Sequence, residues 1–246
     1  MITSLQNEKV KSWKKLHQKK ERERLGTFLV EGFHLVEEAY KSDWEIVELI
    51  VEHDTNVPST LEGIPRTVVS EQVFKHISKT ESPQGIAAVL NMKSSEVEIG
   101  NHVLLIDAIQ NPGNLGTIIR TADAAGFDTV FLGKGTVDPY NDKVVRATQG
   151  SIFHISVVST HLQDQIRELK DRGFDIWATA LTNSQVYHDV KPSERTALIL
   201  GNEAHGVARE YLRQADAIVK IPIYGEAESL NVSIAAGILM YYIKQR

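Results

Sequence analysis

The second half of the chain contains a series of short apolar segments in which apolar and polar residues show little alternation. After residue 101 these segments are HVLLID, FDTVFLG, FHISVVS, FDIWATAL, TALILG and DAIVKIPI, and each is predicted as a strand. Strands that are apolar at both parities must be covered on both faces, as in a mainly parallel sheet enclosed by helices. Helices are predicted at Asn114–Ala125, Asp142–Gln149, Leu162–Arg172, Val207–Gln214 and Ser229–Lys244. The pattern therefore predicts an α/β fold.

A smaller α/β part precedes this sheet. Strands are predicted within GTFLVEG, WEIVELIVEH, PRTVVS and QGIAAVLNM, and helices within FHLVEEAYKS and SEQVFKHISK. The segment KSSEVEIGN, residues 93–101, is polar with little periodicity, and we place a domain boundary there. We therefore expect an N-terminal domain over residues 1–95 and a second domain over residues 101–246.

Composition excludes several kinds of site. The 246 residues include no cysteine, which removes disulfides, thiolate zinc sites and cysteine nucleophiles, and which suits a reducing cytoplasm. The nine histidines show no H-E-x-x-H or similar spacing, so no metal site is expected. No G-x-G-x-x-G or G-x-S-x-G occurs, and GKGT only resembles a phosphate loop. The start of the chain has no apolar signal core and no segment approaches a membrane-spanning length, so we expect a cytoplasmic protein without membrane contact.

Charge is distributed unevenly along the chain. The formal net charge of −5 argues against a nucleic-acid binder, but residues 1–24 carry eight bases against three acids. A basic helix on an acidic body is typical of local contact with phosphates, and a solvated surface helix is the competing interpretation. The candidate RNA contacts are Lys9, Lys11, Lys14, Lys15, Lys19, Lys20, Arg22 and Arg24. Arg146, within RATQGS, is a further candidate, with an ordinary surface arginine as the alternative.

Three polar, glycine-bearing loops each follow a predicted strand and lead toward a helix. They are IQNPGNLG, LGNEAHGV and IPIYGEAESLNVS. In an open α/β sheet the ligand crevice lies outside the carboxyl ends of the strands, so three such loops can converge on one site. The alternative for each loop is a turn followed by a helix cap, since Asn114 and Ser229 suit N-cap positions and Glu203 suits a helix N-terminus.

Two helix starts concentrate polar groups on otherwise apolar helices. In SLNVSIAAGILMYYI the polar residues Ser229, Asn231 and Ser233 are confined to the first turn. Capping uses one of them, so the other two need partners, and a ligand is a reasonable one. In the helix that follows IQNPGNLG, Arg120 either reaches back over the loop or pairs with Asp123, and spacing alone does not separate these alternatives.

The segments NPGNLGTIIRTADAAG, LILGNEAHGV and IPIYGEAESLNVSIAAGILMYY resemble the three ordered motifs of the SpoU/TrmH family of RNA 2′-O-methyltransferases. The resemblance spans about residues 101–246 and points toward the family's bacterial ribosomal-RNA subgroup. The N-terminal part, with FLVEG after a basic helix, resembles more weakly the family's RNA-binding domain, which is similar to a small RNA-binding ribosomal protein. RATQGS carries Thr148 where many relatives have serine, and the hydroxyl is kept.

This resemblance implies an S-adenosylmethionine (SAM) enzyme with a SPOUT-type C-terminal trefoil knot that acts as a homodimer. The implied catalytic set is Asn114, Arg120, Glu203, Ser229 and Asn231. The implied cofactor-binding set is Thr179, Ala180, Leu181, Gly201, Asn202, Glu203, Ile221, Pro222, Leu230, Asn231 and Ser233. The family proposal makes Arg120 the general base, yet a guanidinium normally stays protonated, so orientation of the nucleotide and oxyanion stabilisation is the alternative.

The expected reaction is methyl transfer from SAM to a ribose 2′-hydroxyl, with ribosomal RNA as the favoured substrate. A tRNA methyltransferase of the same family and a non-catalytic RNA-binding assembly factor are the alternatives. The intact Arg120 and third motif argue against the latter.

Overall fold

The computed structural model describes residues 1–93 and 99–245. It divides into two compact units, one formed by Met1–Ser94 with Tyr140–Phe153 and the other by Ser95–Pro139 with His154–Arg246. The predicted boundary segment, residues 93–101, includes residues 94–98, which lie outside the described residues. Residues 140–153, which the sequence placed in the second domain, pack in the first unit.

Helices and strands alternate along much of the described chain, as the sequence predicts. Up to residue 93 the elements are α1 (Glu8–Lys15), α2 (Lys19–Leu25), β1 (Thr27–Glu31), α3 (Phe33–Lys41), β2 (Ile46–Glu52), β3 (Arg66–Val69), α4 (Glu71–Ile77) and β4 (Ile86–Asn91). From residue 99 they are β5 (His102–Ile106), α5 (Pro112–Ala124), β6 (Thr129–Leu132), α6 (Asp142–Thr148), β7 (Ser156–Ser159), α7 (Leu162–Asp171), β8 (Asp175–Thr179), β9 (Gln185–Val186), β10 (Thr196–Leu200), α8 (Arg209–Leu212), β11 (Ala217–Lys220) and α9 (Val232–Lys244).

The first unit is built on a four-stranded mixed sheet in the order β1-β4-β2-β3. The β1–β4 and β4–β2 pairs are antiparallel, and the β2–β3 pair is parallel. Successive residues of a strand point to opposite faces, and both faces here are buried. Phe28 and Val30 join the core beneath α3, whereas Leu29 joins the core beneath α1 and α4.

The basic N-terminal segment forms two helices instead of the single helix that the charge pattern predicts. Val10 and Trp13 on α1 are buried in the core, so one face of this segment is structural. Arg22 on α2 is only 3% exposed, and its guanidinium donates to the Leu16 carbonyl over 2.6 Å. A buried cation needs such partners. Arg22 therefore ties α2 to the end of α1 and is not available at the surface as the RNA contact expected from the sequence.

The second unit is built on a seven-stranded sheet in the order β7-β6-β5-β10-β8-β11-β9, and every neighbouring pair is parallel. This confirms the α/β class and the six predicted strands. The two-residue edge strand β9 was missed because two residues show no periodicity. The central strand β10 is buried at all five positions, as strands covered on both faces must be. Within the described residues no helix is long and apolar enough to cross a membrane.

Candidate active site

The carboxyl ends of β5, β8, β10 and β11 meet at one edge of the parallel sheet because these strands are neighbours in the order β5-β10-β8-β11. The three polar loops follow three of these strands, so they come together as the sequence predicts. Loop A is defined as residues 107–111 after β5, loop B as residues 201–208 after β10, and loop C as residues 221–231 after β11.

Helix α5 begins two residues earlier than the sequence indicated. Its N-cap is Asn111, whose side-chain oxygen accepts from the Gly113 amide at 2.8 Å and from the Asn114 amide at 3.2 Å. Pro112 occupies the first helical position, where proline is favoured because its missing N–H would be unpaired anyway. The expectation that Asn114 caps this helix is therefore wrong. Its side chain lies in the first turn and is available to other partners.

The Asn114 side chain joins the three loops. Its amide nitrogen donates to Glu203 of loop B at 3.0 Å, and its amide oxygen accepts from the Asn231 side chain of loop C at 3.0 Å. The Glu203 carboxylate also accepts from the backbone amides of Gln110 at 3.3 Å and Asn111 at 3.1 Å. Polar networks in which each member has its partner hold loops in one arrangement. Asn114, Glu203 and Asn231, three of the predicted catalytic residues, thus form a continuous hydrogen-bonded chain.

The same hydrogen bonds determine the ionisation of Glu203. Burial raises its pKa, but the bonds from the Asn114 side chain and from the Asn111 and Gln110 amides outweigh burial, so the pKa lies below its usual value. A carboxylate that accepts several N–H donors is stabilised in its charged form. Glu203 is therefore ionised at neutral pH.

Helix α9, in contrast to α5, begins later than predicted. Its N-cap is Asn231, whose side-chain oxygen accepts from the backbone amide of Ser233 at 2.8 Å and from its hydroxyl at 2.6 Å. The expectation that Ser229 caps this helix is therefore wrong, and Ser229 remains on the exposed loop. Ser233 is buried and uses its hydroxyl within the cap. Asn231 thus serves both the helix start and the link to Asn114.

Loop B is held in a tight hairpin against the end of β5. Asn202 and Gly206 exchange backbone hydrogen bonds of 3.1 and 2.9 Å. The side-chain amide of Asn202 donates to the Ala108 carbonyl at 2.7 Å. A Cβ at Gly201 would lie 2.1 Å from Val207 N and from the carbonyl carbon of Gly206. Only glycine allows this approach of the backbone to itself.

A cavity of about 870 Å³ lies between the end of β8 and loops B and C. Nine of the eleven predicted cofactor residues line it: Thr179, Ala180, Leu181, Gly201, Asn202, Glu203, Ile221, Leu230 and Asn231. The lining does not include Pro222 or Ser233. Ser229, from the predicted catalytic set, lies on its wall. The cavity has the size of a cofactor pocket, with apolar walls such as Leu200, Val219 and Leu239 and a few polar groups at its edge.

Arg120 lies on the exposed side of α5, while Ile118 and Ile119 face the core. Among the described residues it makes no hydrogen bond or ion pair. The Asp123 carboxylate, which the sequence offered as its partner, lies 3.3 Å from His154 instead. Nor does Arg120 bond to the Glu203 carboxylate, whose partners are Gln110, Asn111 and Asn114. Arg120 is therefore a solvent-facing cation on the helix that carries Asn114.

The predicted RNA contacts of the N-terminal segment differ in their surroundings. Five of them pair within the first unit: Lys9 with Glu48 at 2.8 Å, Lys11 with Glu8 at 2.9 Å, Lys19 with Glu23 at 3.6 Å, Arg24 with Glu21 at 2.8 Å, and Lys14 with the carbonyl of His76. Arg146 likewise lies 3.0 Å from Asp142, one turn back on α6. In the part of the chain that the structure describes, only Lys15 and Lys20 of the nine make no hydrogen bond or ion pair, and both are exposed.

Two residues that shape the site were missed by the sequence analysis. Asn111 caps α5, and the proline that follows it was the available signal. Asp107 ends the strand segment HVLLID and accepts from the Ala208 amide of loop B at 2.8 Å, while burial raises its pKa. A carboxylate directly after an apolar strand is a recognisable signal, but its partner 101 residues away is not.

A cavity at the carboxyl edge of a parallel sheet, beside three loops that hydrogen bonds join, is the arrangement of an α/β protein with a ligand or cofactor site. Residues 101–241 match the model of the SpoU rRNA Methylase family, and residues 7–88 match an MRM3-like substrate binding domain. The chain belongs to the SpoU rRNA Methylase family. It is a SAM-dependent RNA 2′-O-methyltransferase.

Relatives resemble the chain over its whole length. The 23S rRNA (guanosine(2553)-2′-O)-methyltransferase RlmP of Bacillus subtilis is 51% identical over 244 residues, covering 99% of this chain and 98% of the relative. The AdoMet-bound rRNA methyltransferase of Sinorhizobium meliloti is 34% identical, with a TM-score of 0.89 over 99% of this chain and 97% of the other. The SpoU methyltransferase AviRb of Streptomyces viridochromogenes has the same fold, with a TM-score of 0.89 at 24% identity, over 98% of each chain.

Replacing Glu203 with glutamine is expected to lower the melting temperature at neutral pH, because a glutamine amide has only one accepting oxygen and its NH2 group cannot accept from the N–H donors that surround the carboxylate. The folded-state pKa of Glu203 is lowered, so its stabilising contribution is complete above the unfolded-state value and is lost as pH falls through the folded value. The difference in melting temperature between wild type and Glu203→Gln should therefore shrink below about pH 4. Thermal melts from neutral to acidic pH measure it, with the exposed Glu226→Gln as control. A difference that is constant with pH would contradict this account.

Proposed function

We propose that this enzyme methylates the ribose 2′-hydroxyl of a guanosine in 23S rRNA, at the nucleotide that corresponds to guanosine 2553 of its Bacillus relative. Identity of 51% over both domains supports a shared substrate as well as a shared reaction. The observation in the structure that carries the proposal is the Glu203–Asn114–Asn231 chain, which joins loop A to loops B and C, the two loops that line the cavity.

The cavity fits SAM by its size and by its mixture of apolar walls with polar groups at the edge. When bound, SAM supplies a methyl group on a positively charged sulfur. We assign binding of the cofactor to the ends of β8 and to loops B and C, including Gly201, Ile221 and Leu230. Asn231 holds loop C through its bond to Asn114, Ser229 lies on the cavity wall, and Glu203 orders loops A and B through its hydrogen bonds.

Arg120 is the residue that we assign to the RNA. It is exposed on α5 less than two turns after Asn114, and helical side chains lean toward the helix N-terminus, which here faces the loops. A guanidinium binds phosphate through paired hydrogen bonds and stabilises negative charge on a reacting oxygen. Arg120 would then orient the nucleotide and stabilise the 2′-oxygen as it loses its proton. Alignment of the two reactants supplies much of the remaining acceleration.

We propose that residues 1–95 bind the RNA substrate and that residues 101–246 carry the methyl-transfer site. The match of residues 7–88 to a substrate binding domain supports the first assignment. The segment 140–153, which contains Arg146, packs in the first unit and would contribute to that surface. Lys15 and Lys20 are its best candidates for phosphate contact, because both are exposed and unpaired among the described residues.

Reversing both charges, in Lys15→Glu with Lys20→Glu, is expected to weaken RNA binding and to flatten its dependence on salt. Each lost phosphate contact should reduce the slope of log K against log salt by about 0.7–0.9. Filter binding of 23S rRNA over a range of potassium chloride concentrations measures this slope. Deleting residues 1–24 is not a usable test, because Val10, Trp13 and Leu16 belong to the core.

Lys9→Gln is the matched control for this charge reversal, because Lys9 is already paired with Glu48. It should change the salt slope less than the double variant does. An unchanged slope in the double variant would assign α1 and α2 to a solvated surface without RNA contact.

We further propose that the protein is a cytoplasmic homodimer with a trefoil knot in its C-terminal domain. Helix α9 carries an exposed apolar stripe of Ile234 at 56%, Ile238 at 37% and Tyr241 at 47%, spaced one turn apart. Such a stripe on a helix whose other side is already buried suits a contact between two copies. The cytoplasmic assignment follows from the absence of cysteine and from a ribosomal-RNA substrate.

Ile238→Asp is expected to convert the dimer into a monomer, because it places a charge in the centre of the apolar stripe. Light scattering after size-exclusion chromatography measures the mass of the particle. The control is Val47→Asp, which charges an apolar side chain of the first unit that is 40% exposed. A wild-type protein that is monomeric at all concentrations would contradict the dimer.

The proposed function is tested by incubating the purified protein with SAM and 23S rRNA, followed by mapping of 2′-O-methyl groups. Methylation at the guanosine named above is the expected result. Transfer to tRNA alone would identify a tRNA enzyme. SAM binding without transfer to either RNA would overturn the proposed substrate, and no SAM binding at all would favour a non-catalytic assembly factor.

A further inference from the structure

Tyr224 has the most exposed large apolar side chain among the described residues, at 92%. It lies at the start of an exposed run, residues 224–231, that forms the outer part of loop C. Its ring packs against no other ring, and its hydroxyl has no hydrogen bond in the part of the chain that the structure describes. An aromatic ring held in water gains nothing for the fold, so its position favours a role in binding.

The position of Tyr224 relates it to the cavity. Ile221 and Ile223, just before it, line the cavity, and so do Glu228 and the residues that follow up to Val232. Tyr224 is therefore on the outer turn of a loop whose two arms both form the cavity wall.

Two other exposed apolar side chains border the same cavity. Leu181, after β8, is 59% exposed, and Leu230 of loop C is 37% exposed; both line the cavity. Leu181 and Leu230 thus give the cavity an apolar edge, and Tyr224 lies on the same loop as Leu230. Under the proposed function the ribose has to meet the cofactor at the cavity, and its base, which is attached directly to the ribose, would then lie at this outer edge.

The charges on loop C favour a base over a phosphate. The loop contains Glu226 and Glu228 and no lysine or arginine. Phosphates are repelled by such carboxylates, whereas a nucleobase is neutral and presents a flat aromatic face. Proteins bind unstacked bases of RNA by stacking them on exposed aromatic side chains.

We propose that Tyr224 binds the base of the target nucleotide by stacking on it, and that this contact holds the ribose at the mouth of the cavity. This inference rests on the proposed function, because it requires an RNA whose ribose is methylated here. It adds a substrate-binding residue outside the hydrogen-bonded chain of Asn114, Glu203 and Asn231. Its contribution is to the positioning of the RNA and not to the binding of the cofactor.

The test compares Tyr224→Ala, Tyr224→Phe and Glu226→Ala in methyl transfer to a 23S rRNA fragment that contains the target guanosine. Loss of a base–aromatic stack should raise KM for the RNA about tenfold or more in Tyr224→Ala. Phenylalanine keeps the ring, so Tyr224→Phe should stay within about twofold of wild type. Glu226→Ala is the matched control in the same loop and should not raise KM. The affinity for SAM should be unchanged in all three variants.

A second substrate makes the test specific for the base. This RNA carries a ribose without its base at the target position, so the 2′-hydroxyl remains while the stacking partner is gone. On this RNA the activity of the wild type should fall by about the same factor as the activity of Tyr224→Ala falls on the normal RNA. The activity of Tyr224→Ala on the RNA without the base should be little lower than after either change alone. If the losses multiply, Tyr224 does not contact this base and the inference is overturned.

The remaining outcomes also separate the possibilities. An unchanged KM in Tyr224→Ala would overturn the inference while leaving the proposed function intact. A fall in dimer mass for Tyr224→Ala, measured by light scattering, would assign the ring to contact with a second copy instead and would likewise overturn it. Wild-type protein that fails to methylate the normal RNA would overturn the proposed function and with it this inference.

Discussion

Arg120→Ala is expected to reduce methyl transfer by about a hundred- to a thousandfold, the cost of removing one charged group that stabilises a reacting oxygen. The affinity for SAM should change little, because Arg120 is exposed on α5 and is not among the residues that line the cavity. Fold stability should also be kept, since Arg120 makes no hydrogen bond or ion pair among the described residues. Single-turnover kinetics with saturating RNA and SAM measures the chemical step, and calorimetry measures SAM binding.

The pH profile of the Arg120→Lys variant distinguishes the two roles that the sequence left open. If Arg120 acts as a positive charge that orients phosphate and stabilises the oxyanion, lysine should restore part of the rate without introducing a new ionisation near neutral pH. If it acts as the base, the lysine variant should gain rate as pH rises toward the lysine pKa. The control is Arg167→Ala on α7, an exposed arginine whose partner is Asp164. Near-normal turnover of Arg120→Ala would exclude any catalytic role for this residue.

The fold of the second unit was predictable because its strands are apolar at both parities. Leu104 and Leu105, neighbours on β5, are both fully buried, and this can happen only in a sheet covered on both faces. The helix starts were less predictable. Asn111 and Asn114 both suit a cap, and only the proline at position 112 favours the first of them. Local patterns thus identified the helices and strands, but they did not decide which of two neighbouring polar residues caps a helix.

The site was predictable as a meeting of loops but not as a set of contacts. Parallel strand ends have to lie at one edge, so convergence of Asn114, Glu203 and Asn231 followed from the pattern. That Asn114 bridges the other two depends on its release from capping, which became visible only in three dimensions. Arg22 shows the opposite case, since its charge predicted a surface contact and tertiary packing buried it. When two contacting side chains are far apart in the sequence, no local sequence pattern indicates that they are partners.

Gly201→Ala is expected to weaken SAM binding by about one to two orders of magnitude, because a Cβ at this position collides with backbone atoms that cannot rotate away. The added carbon would lie 2.1 Å from Val207 N and from the carbonyl carbon of Gly206, so loop B has to move. Overpacking of this kind costs about 1–3 kcal/mol, and the displaced loop lines the cavity. The Asn202–Gly206 hydrogen bonds, at 3.1 and 2.9 Å, resist that movement and direct the strain into the cavity wall.

Gly225→Ala is the matched control for this substitution. Gly225 lies on loop C of the same site, and a Cβ there has no atom within 4 Å. Neither glycine has a positive φ, so alanine strains the backbone at neither position and only the crowding differs. Calorimetry should therefore show nearly wild-type SAM affinity for Gly225→Ala and a large loss for Gly201→Ala. Equal affinities in the two variants would mean that loop B yields without disturbing the cavity, and the close backbone approach at Gly201 would then have no part in holding the cofactor.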